Sequence, residues 1–374
     1  MIKRTGYTLL APLAAVVFAL VISSIVLILS GASPLDAYGN IWEFGTRLET
    51  ILEAINRGSA LYVSGIAVAI GFRMNLFNIG VEGQYILAAF FAAYVGGLIG
   101  PTNPVLHVGI IVITAMAVGA FWSGLAGVLK VTRNVHEVIS TIMLNNIAVS
   151  GIVSFLLARW TAQSAQLDTA LAQIPESGWL PSLNPVVELF TRDIRRVDLY
   201  SYVLIAIAVG IGYHVIINKT RVGFDLRATG INPFAAEASG VNPKRTVVIA
   251  MLLSGAVAGL VGLGDLLGDA HTYNLRFFQG LGFAGIAVAL LGRNSAVGIA
   301  FAAFVIGWLE RSSGVLEVRG DAPREIVTIM IGVIILAAVI AYAVVERVRL
   351  ANEAQAAALA TAEIDPDLAS EGAS

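Results

Sequence analysis

Residues 83–129, GQYILAAFFAAYVGGLIGPTNPVLHVGIIVITAMAVGAFWSGLAGVL, contain no Asp, Glu, Lys or Arg. So long an uncharged stretch suits hydrocarbon and not water, and it sets the fold class: an all-α, polytopic transmembrane helical bundle. Gly96-Gly97-Leu98-Ile99-Gly100-Pro101-Thr102-Asn103-Pro104 interrupts the run and predicts two spans, roughly 76–98 and 105–129. The remaining chain agrees. Of 374 residues, 57% are hydrophobic and 13% charged, against about 25% charged in a soluble domain. Mean hydropathy is +0.82. The 38 glycines are scattered through apolar segments, which suits closely packed transmembrane helices. The absence of cysteine excludes disulfides and thiolate catalysis, and the four scattered histidines argue against a metal site. No basic face with interleaved aromatics points to nucleic acid.

Working outward, Leu9 to Leu29 reads as a retained first span. It exceeds a signal-peptide core, and no small-x-small cleavage site follows. Residues 31–57, with Tyr38, Trp42 and Phe44, suit an interface. Further spans are expected at 58–72 (short, ended by Arg73), 138–157, 200–217, 246–264, 280–292, 294–309 and 326–345. The total is about ten. Residues 1–345 are expected to form one membrane domain, with 159–199 as an extracytoplasmic connection. The alanine-rich, acidic tail 346–374 is expected to be cytoplasmic and disordered. With both termini inside, the inner side receives thirteen of the 23 basic residues, including those of 219–245. The bias is modest and points one way.

Polar residues crowd three places that should lie in the membrane. In Gly71 to Ala89, GFRMNLFNIGVEGQYILAA, the residues Asn75, Asn78, Glu82 and Gln84 surround Gly80 and Gly83. These groups must face protein or a water-filled path, because lipid offers them no partners. A discontinuous helix here would present backbone as well as side chains to a polar solute. Helix–helix hydrogen bonding is the plainer alternative. Around Gly280-Leu281-Gly282, glycines again interrupt an apolar segment, flanked by Phe278 and Phe283. The shortened pairs 58–98 and 280–309 echo each other, as in a two-repeat permease. In the fifth span, Thr141 and Asn145 are four apart and share a helix face. We assign Asn75, Asn78, Glu82, Gln84, Thr141, Asn145, Phe278 and Phe283 to a translocation path. His136 reads as a surface or interface residue.

Lys219 to Arg245, KTRVGFDLRATGINPFAAEASGVNPKR, is a basic island between apolar segments. Asn232 is a good N-cap, Pro233 follows at the first helical position, and Phe234, Ala235, Ala236 and Glu237 make about two turns closed by Gly240. Asn242-Pro243 repeats the start signal. So short a helix needs something to pack against. It is either an ordinary loop or a surface helix that meets a soluble partner.

The chain lacks a GxxxxGK[ST] phosphate loop, so any ATP-driven step belongs to another polypeptide. Glu82 comes nearest to the lone mid-helix carboxylate of a proton-coupled carrier.

Four ordered motifs resemble a known family. Phe77-Asn78-Ile79-Gly80-Val81-Glu82-Gly83-Gln84 resembles the LFNIGxEGQ signature of inner-membrane permeases of the nucleoside and simple-sugar ABC importers, the group paired with basic-membrane-protein-type binding lipoproteins. His136 to Asn145 is similar to that family's NEVIxTIMLN segment, with His136 in place of the usual asparagine. Gly223 to Gly240 resembles GxxLRAxGxNPxAAxxxG, and Gly280 to Gly292 resembles GxGFxGIAVALLG. The resemblance implies two permeases paired in the membrane, often different ones, with this chain like the larger. It implies ATP-binding subunits, which hold the ATP and Mg, and an extracytoplasmic substrate-binding lipoprotein. It also implies that Asn232 to Gly240 is the coupling helix. No cofactor is expected on this chain, nor any catalytic residue.

The sequence therefore reads as a nucleoside permease subunit of an ABC uptake system in a bacterial-type cytoplasmic membrane. A neutral, hydroxyl-rich solute calls for hydrogen-bonding groups rather than fixed charge. A ribose- or galactose-type sugar permease is the alternative within the class, and branched-chain amino-acid permeases are more distant. An ion-coupled carrier would instead depend on Glu82 or Asp265. A non-transporting scaffold would leave the polar cluster at 75–84 unexplained.

Overall fold

The computed structural model describes residues 17–18, 20–160, 169–189, 197–274, 277, 279–319 and scattered helical positions between 326 and 347. The start of the expected first span, part of the 159–199 connection, Phe278, much of 326–345 and nearly all of the tail 346–374 lie outside the described residues. The regular structure of the described residues is helical, apart from isolated bridges. In order the helices are α1 (Leu20–Leu29), α2 (Pro34–Gly45), α3 (Leu48–Phe72), α4 (Val81–Leu98) and α5 (Pro104–Arg133). Next come α6 (Glu137–Asn146), a π-helical segment (Ile147–Val153), α7 (Ser154–Trp160), a short 3₁₀ turn, α8 (Asn184–Val187) and α9 (Tyr202–Lys219). Then follow α10 (Arg221–Ile231), α11 (Pro233–Ala238), α12 (Pro243–Gly259), α13 (Leu263–Asp265), a second π turn (Leu266–Ala270), α14 (Leu281–Leu291) and α15 (Ala296–Arg319). Seven runs are long and apolar enough to cross a membrane, or eight if α1 and α2 form one bent span. The protein is thus an all-α, multi-pass membrane bundle with discontinuous helices.

The chain divides into two compact units, residues 40–315 and residues 1–39 with 316–374. In the smaller one, Tyr38 Oη donates to the Leu20 carbonyl at 3.0 Å.

The larger unit is organised on two buried helices, α3 and α4. α5 packs most extensively on α12, and small residues make that approach possible. Ala115 and Gly119 on α5 meet Gly255 and Gly259 on α12, and a Cβ on Gly119 would overlap the Gly255 carbonyl. This is a small-xxx-small contact, in which backbones touch because nothing separates them.

Three helices begin as their Asn-Pro signals predict. The Asn103 side chain accepts from the Val105 and Leu106 N–H groups, Asn232 from Phe234 and Ala235, and Asn242 from Arg245. Each proline sits where its missing N–H would have had no partner.

Two helix boundaries differ from the hydropathy reading. The expected span 58–72 is the end of a 25-residue helix that starts at Leu48, so 48–57, expected as an interfacial stretch, is helical. The expected span 294–309 starts at Ala296 and continues to Arg319. One contact lets both helices run past a charged residue. Arg57 Nε donates to Glu310 Oε2 at 2.5 Å, with Arg57 buried. Each residue looked like a span terminus alone, yet together they neutralise each other between α3 and α15. The eighth expected span contracts to the 11-residue α14.

Candidate functional site

The break between α3 and α4 forms the centre of a polar layer. α3 ends at Phe72, and residues 73–80 turn through Asn75, which adopts φ 56°. Asn78 and Gln84 pair their amides reciprocally, with Asn78 Nδ2 to Gln84 Oε1 at 3.2 Å and Gln84 Nε2 to Asn78 Oδ1 at 3.0 Å. Asn78 Nδ2 also donates to Ser254 Oγ on α12 at 2.8 Å, and Ser254 Oγ in turn donates to the Ala67 carbonyl on α3 at 2.6 Å. Both amides are buried. Their hydrogen-bonding capacity is used inside the protein, which welds α3, α4 and α12 at the break.

Glu82, in the first turn of α4, reaches a second broken helix. Its Oε1 accepts from the Gly280 N–H at 2.6 Å and its Oε2 from the Gly282 N–H at 2.9 Å, while Tyr85 Oη donates to Oε1 at 3.2 Å. The carboxylate therefore faces the starts of α4 and α14 together, where unpaired N–H groups and the helix dipoles favour negative charge. Gly282 admits this approach, since a Cβ there would collide with the Glu82 backbone.

A third element completes the layer. Asn145 on α6 accepts from the Gly83 N–H at 2.9 Å and donates to the Ile79 carbonyl at 3.0 Å. Thr141 is buried, and its hydroxyl donates back to the Glu137 carbonyl at 2.7 Å. Of the expected path residues, the structure thus brings Asn78, Glu82, Gln84 and Asn145 into one layer, with Thr141 a turn from Asn145. Asn75 and Phe283 are exposed. Ser254 joins the layer without having been singled out; its signal was a hydroxyl among apolar residues of the seventh span.

Asn75 lines a cavity of about 920 Å³ with Lys130, Arg133, Thr229, Pro233 and Lys244. This cavity lies at the end of the bundle that carries the 219–245 island. Arg73 secures the same end, with Nη2 donating to the Asn294 carbonyl at 2.7 Å and Nε to Tyr213 Oη at 3.2 Å. A separate apolar groove of about 590 Å³ runs between α3, α9 and α15, lined by Tyr62, His214 and Phe304 among others.

α11 follows the expected plan. Asn232 caps it, Gly240 closes it with φ 84°, and only Ala236 faces inward. Pro233, Phe234, Ala235 and Glu237 are exposed. Phe234 is 83% exposed and the neighbouring Ile231 86%, so two large apolar side chains stand beside this small helix. His136 is exposed, and its Nδ1 caps α6 by accepting from the Val138 N–H at 3.3 Å. Among the described residues no group of three or more His, Asp or Glu could hold a metal.

Comparison with known proteins agrees with this architecture. The family described as "Branched-chain amino acid transport system / permease component" matches residues 50–339. The guanosine ABC transporter permease protein NupP of Bacillus subtilis is 36% identical over 348 residues, covering 92% of this chain and 96% of that protein. The nucleoside ABC transporter permease protein NupB of Lactococcus lactis is 31% identical, covering 87% of this chain and 89% of its own. The glucose ABC transporter permease protein TsgB13 of Haloferax volcanii is 30% identical, with 87% and 85% covered. No solved structure matches. With its broken-helix layer, its capped surface helix and these relatives, the chain belongs to the branched-chain amino acid transport system permease family, whose members are the non-catalytic membrane subunits of ABC importers.

Proposed function

We propose that this permease carries nucleosides into the cell. The observation that carries the reading is the near full-length similarity to a guanosine permease. The site is consistent with it: apart from Glu82, the layer at 75–84 and 141–145 carries no fixed charge, which suits a neutral cargo, while its amides brace one another and the backbone around it. In this proposal Asn75 and Phe283 face the path, Asn78, Glu82, Gln84, Thr141 and Asn145 hold its walls, and Phe278 is also assigned to it. The similarity to a glucose permease keeps a simple sugar as the second reading.

The chain pairs with a second, shorter permease and receives cargo from an extracytoplasmic binding lipoprotein. Residues Asn232 to Gly240 seat on an ATP-binding subunit, which binds ATP and Mg and drives alternation. Both termini and the island 219–245 are cytoplasmic, 159–199 is extracytoplasmic, and the permease domain spans residues 1–345. It contains ten spans arranged as two repeats, in which the broken pair 58–98 corresponds to 280–309.

Uptake of labelled nucleosides and sugars tests this, in cells with and without the chain and its partner subunits, alongside an ATPase-dead partner. ATP-dependent nucleoside uptake that sugars do not compete is expected. Uptake competed by glucose would transfer the assignment to sugars, and uptake without the ATPase would overturn the ABC mechanism.

A further inference from the structure

Midway along α5, Ile113, Met116, Ala117 and Phe121 face outward, and on α9 Leu204, Ile207, Ala208 and Ile211 do so, with His214 and Asn218 exposed nearer its end. The mid-span residues are apolar, as lipid contact requires. On the continuous run from Glu137 to Trp160 the exposed residues include Asn146, Ser150 and Ser154, spaced four apart. At 1.5 Å per residue Ser150 lies about 20 Å along this run, well inside a hydrocarbon layer about 30 Å thick.

These groups are not absorbed by the fold. Asn146 Nδ2 donates to the Ile142 carbonyl at 3.1 Å and Ser154 Oγ to the Val149 carbonyl at 2.9 Å. Among the described residues, the amide oxygen and the serine lone pairs have no donors. The Ser150 hydroxyl has no partner among the described residues. The π-helical segment Ile147–Val153 carries the middle of the stripe, and such local widening recurs at functional positions. The preceding residue, Asn145, holds Gly83 in the broken-helix layer, so the stripe starts at the depth of that layer. Lipid would leave the Asn146 amide oxygen and the Ser150 hydroxyl without partners at mid-membrane.

We infer that the Asn146–Ser150–Ser154 face is a wetted wall of the solute path, and that its amide and hydroxyls exchange hydrogen bonds with the hydroxyls of a neutral nucleoside. The inference rests on reading the chain as a solute permease and assigns a cargo-contacting face to it. Uncharged donors and acceptors offered one above another would let the cargo move from one to the next without a deep trap.

The natural absence of cysteine makes the test direct. Asn146→Cys, Ser150→Cys and Ser154→Cys are introduced singly into the assembled transporter in membranes. Labelling by a charged, membrane-impermeant methanethiosulfonate is then timed. Ala117→Cys and Ala208→Cys report the lipid-facing background, and Val186→Cys, exposed on the 159–199 connection, reports reagent access to an inserted chain. Labelling at positions 150 and 154 at least tenfold faster than at 117 and 208 is expected, slowed severalfold by guanosine or adenosine. Labelling as slow as at 117 and 208, in a complex that labels normally at 186, would place the stripe in a dry subunit contact and overturn the inference. Nucleoside uptake by the cysteine-free parent is scored separately. Its absence would remove the nucleoside assignment, while fast labelling at 150 would still establish a wetted face.

Discussion

Glu82 Oε2 accepts a hydrogen bond from the Gly282 N–H at 2.9 Å, joining residues 200 positions apart. Two interrupted helices, α4 and α14, thereby start against one buried carboxylate. A charge-assisted bond of this kind contributes about 1.5–3 kcal/mol. Glu82→Gln keeps the size of the side chain but turns a donor toward one glycine N–H. A loss of about 2 kcal/mol is expected, read as a lowered thermal midpoint of the purified complex. An unchanged midpoint would mean that the two helix starts hold together without the charge.

The Asn78–Gln84–Ser254 network makes a different demand. Asn78→Leu leaves the Gln84 amide and the Ser254 hydroxyl buried without this partner, and should destabilise the protein by about 3 kcal/mol. Removing Gln84 as well relieves part of that penalty. The Asn78→Leu, Gln84→Leu double variant is expected to lose at least about 1 kcal/mol less than the sum of the singles. Simple additivity would show that the two amides act independently.

Coupling is tested on α11. Ala236→Pro removes the Ala236 N–H bond to the Asn232 carbonyl at 3.0 Å, and Glu237→Lys reverses an exposed charge without touching the bundle. Both variants should insert normally yet separate ATP hydrolysis from uptake. Normal nucleoside uptake in either would remove the coupling assignment. Asn232→Ala should weaken the helix by about 1 kcal/mol through loss of its cap.

The α5–α12 crossing tolerates no side chain at its glycines. Gly255→Val would drive a branched group into the Gly119 carbonyl, for an expected loss of about 3 kcal/mol and poor recovery of assembled complex. Gly212→Ala on α9 meets nothing within 4 Å and serves as the control, with stability unchanged or slightly raised.

Outside the spanning segments, His271 stacks on Trp179 with ring centroids 3.8 Å apart. Burial lowers its pKa from 6.5. Because the folded protein resists protonating this ring, its contribution to stability is complete above the unfolded pKa. It is lost as the pH falls from about 6.5 toward the lower folded value. The thermal midpoint should drop between pH 7.5 and 5.5, and His271→Asn should drop less. Equal drops would assign the acid sensitivity to other groups.

Much of this protein could be read along the chain. Asn103, Asn232 and Asn242, each followed by proline, announce helix starts because a cap and the N–H groups it satisfies lie within three residues. The uncharged run 83–129 fixes a membrane bundle because span length follows from hydropathy and rise per residue. Gly80 and Gly83 mark the break in the same local way. The extent of α3 and α15 was settled only in three dimensions. Arg57 and Glu310 stop a hydropathy window separately, yet share one part-buried ion pair across 253 residues. The same holds for Glu82, whose partners are backbone N–H groups freed by a distant helix start, and for Asn78, whose third contact is Ser254. Local signals name residues that need partners. Whether such a residue ends a helix, braces two of them or faces a solute depends on the atom that meets it, and packing alone decides that.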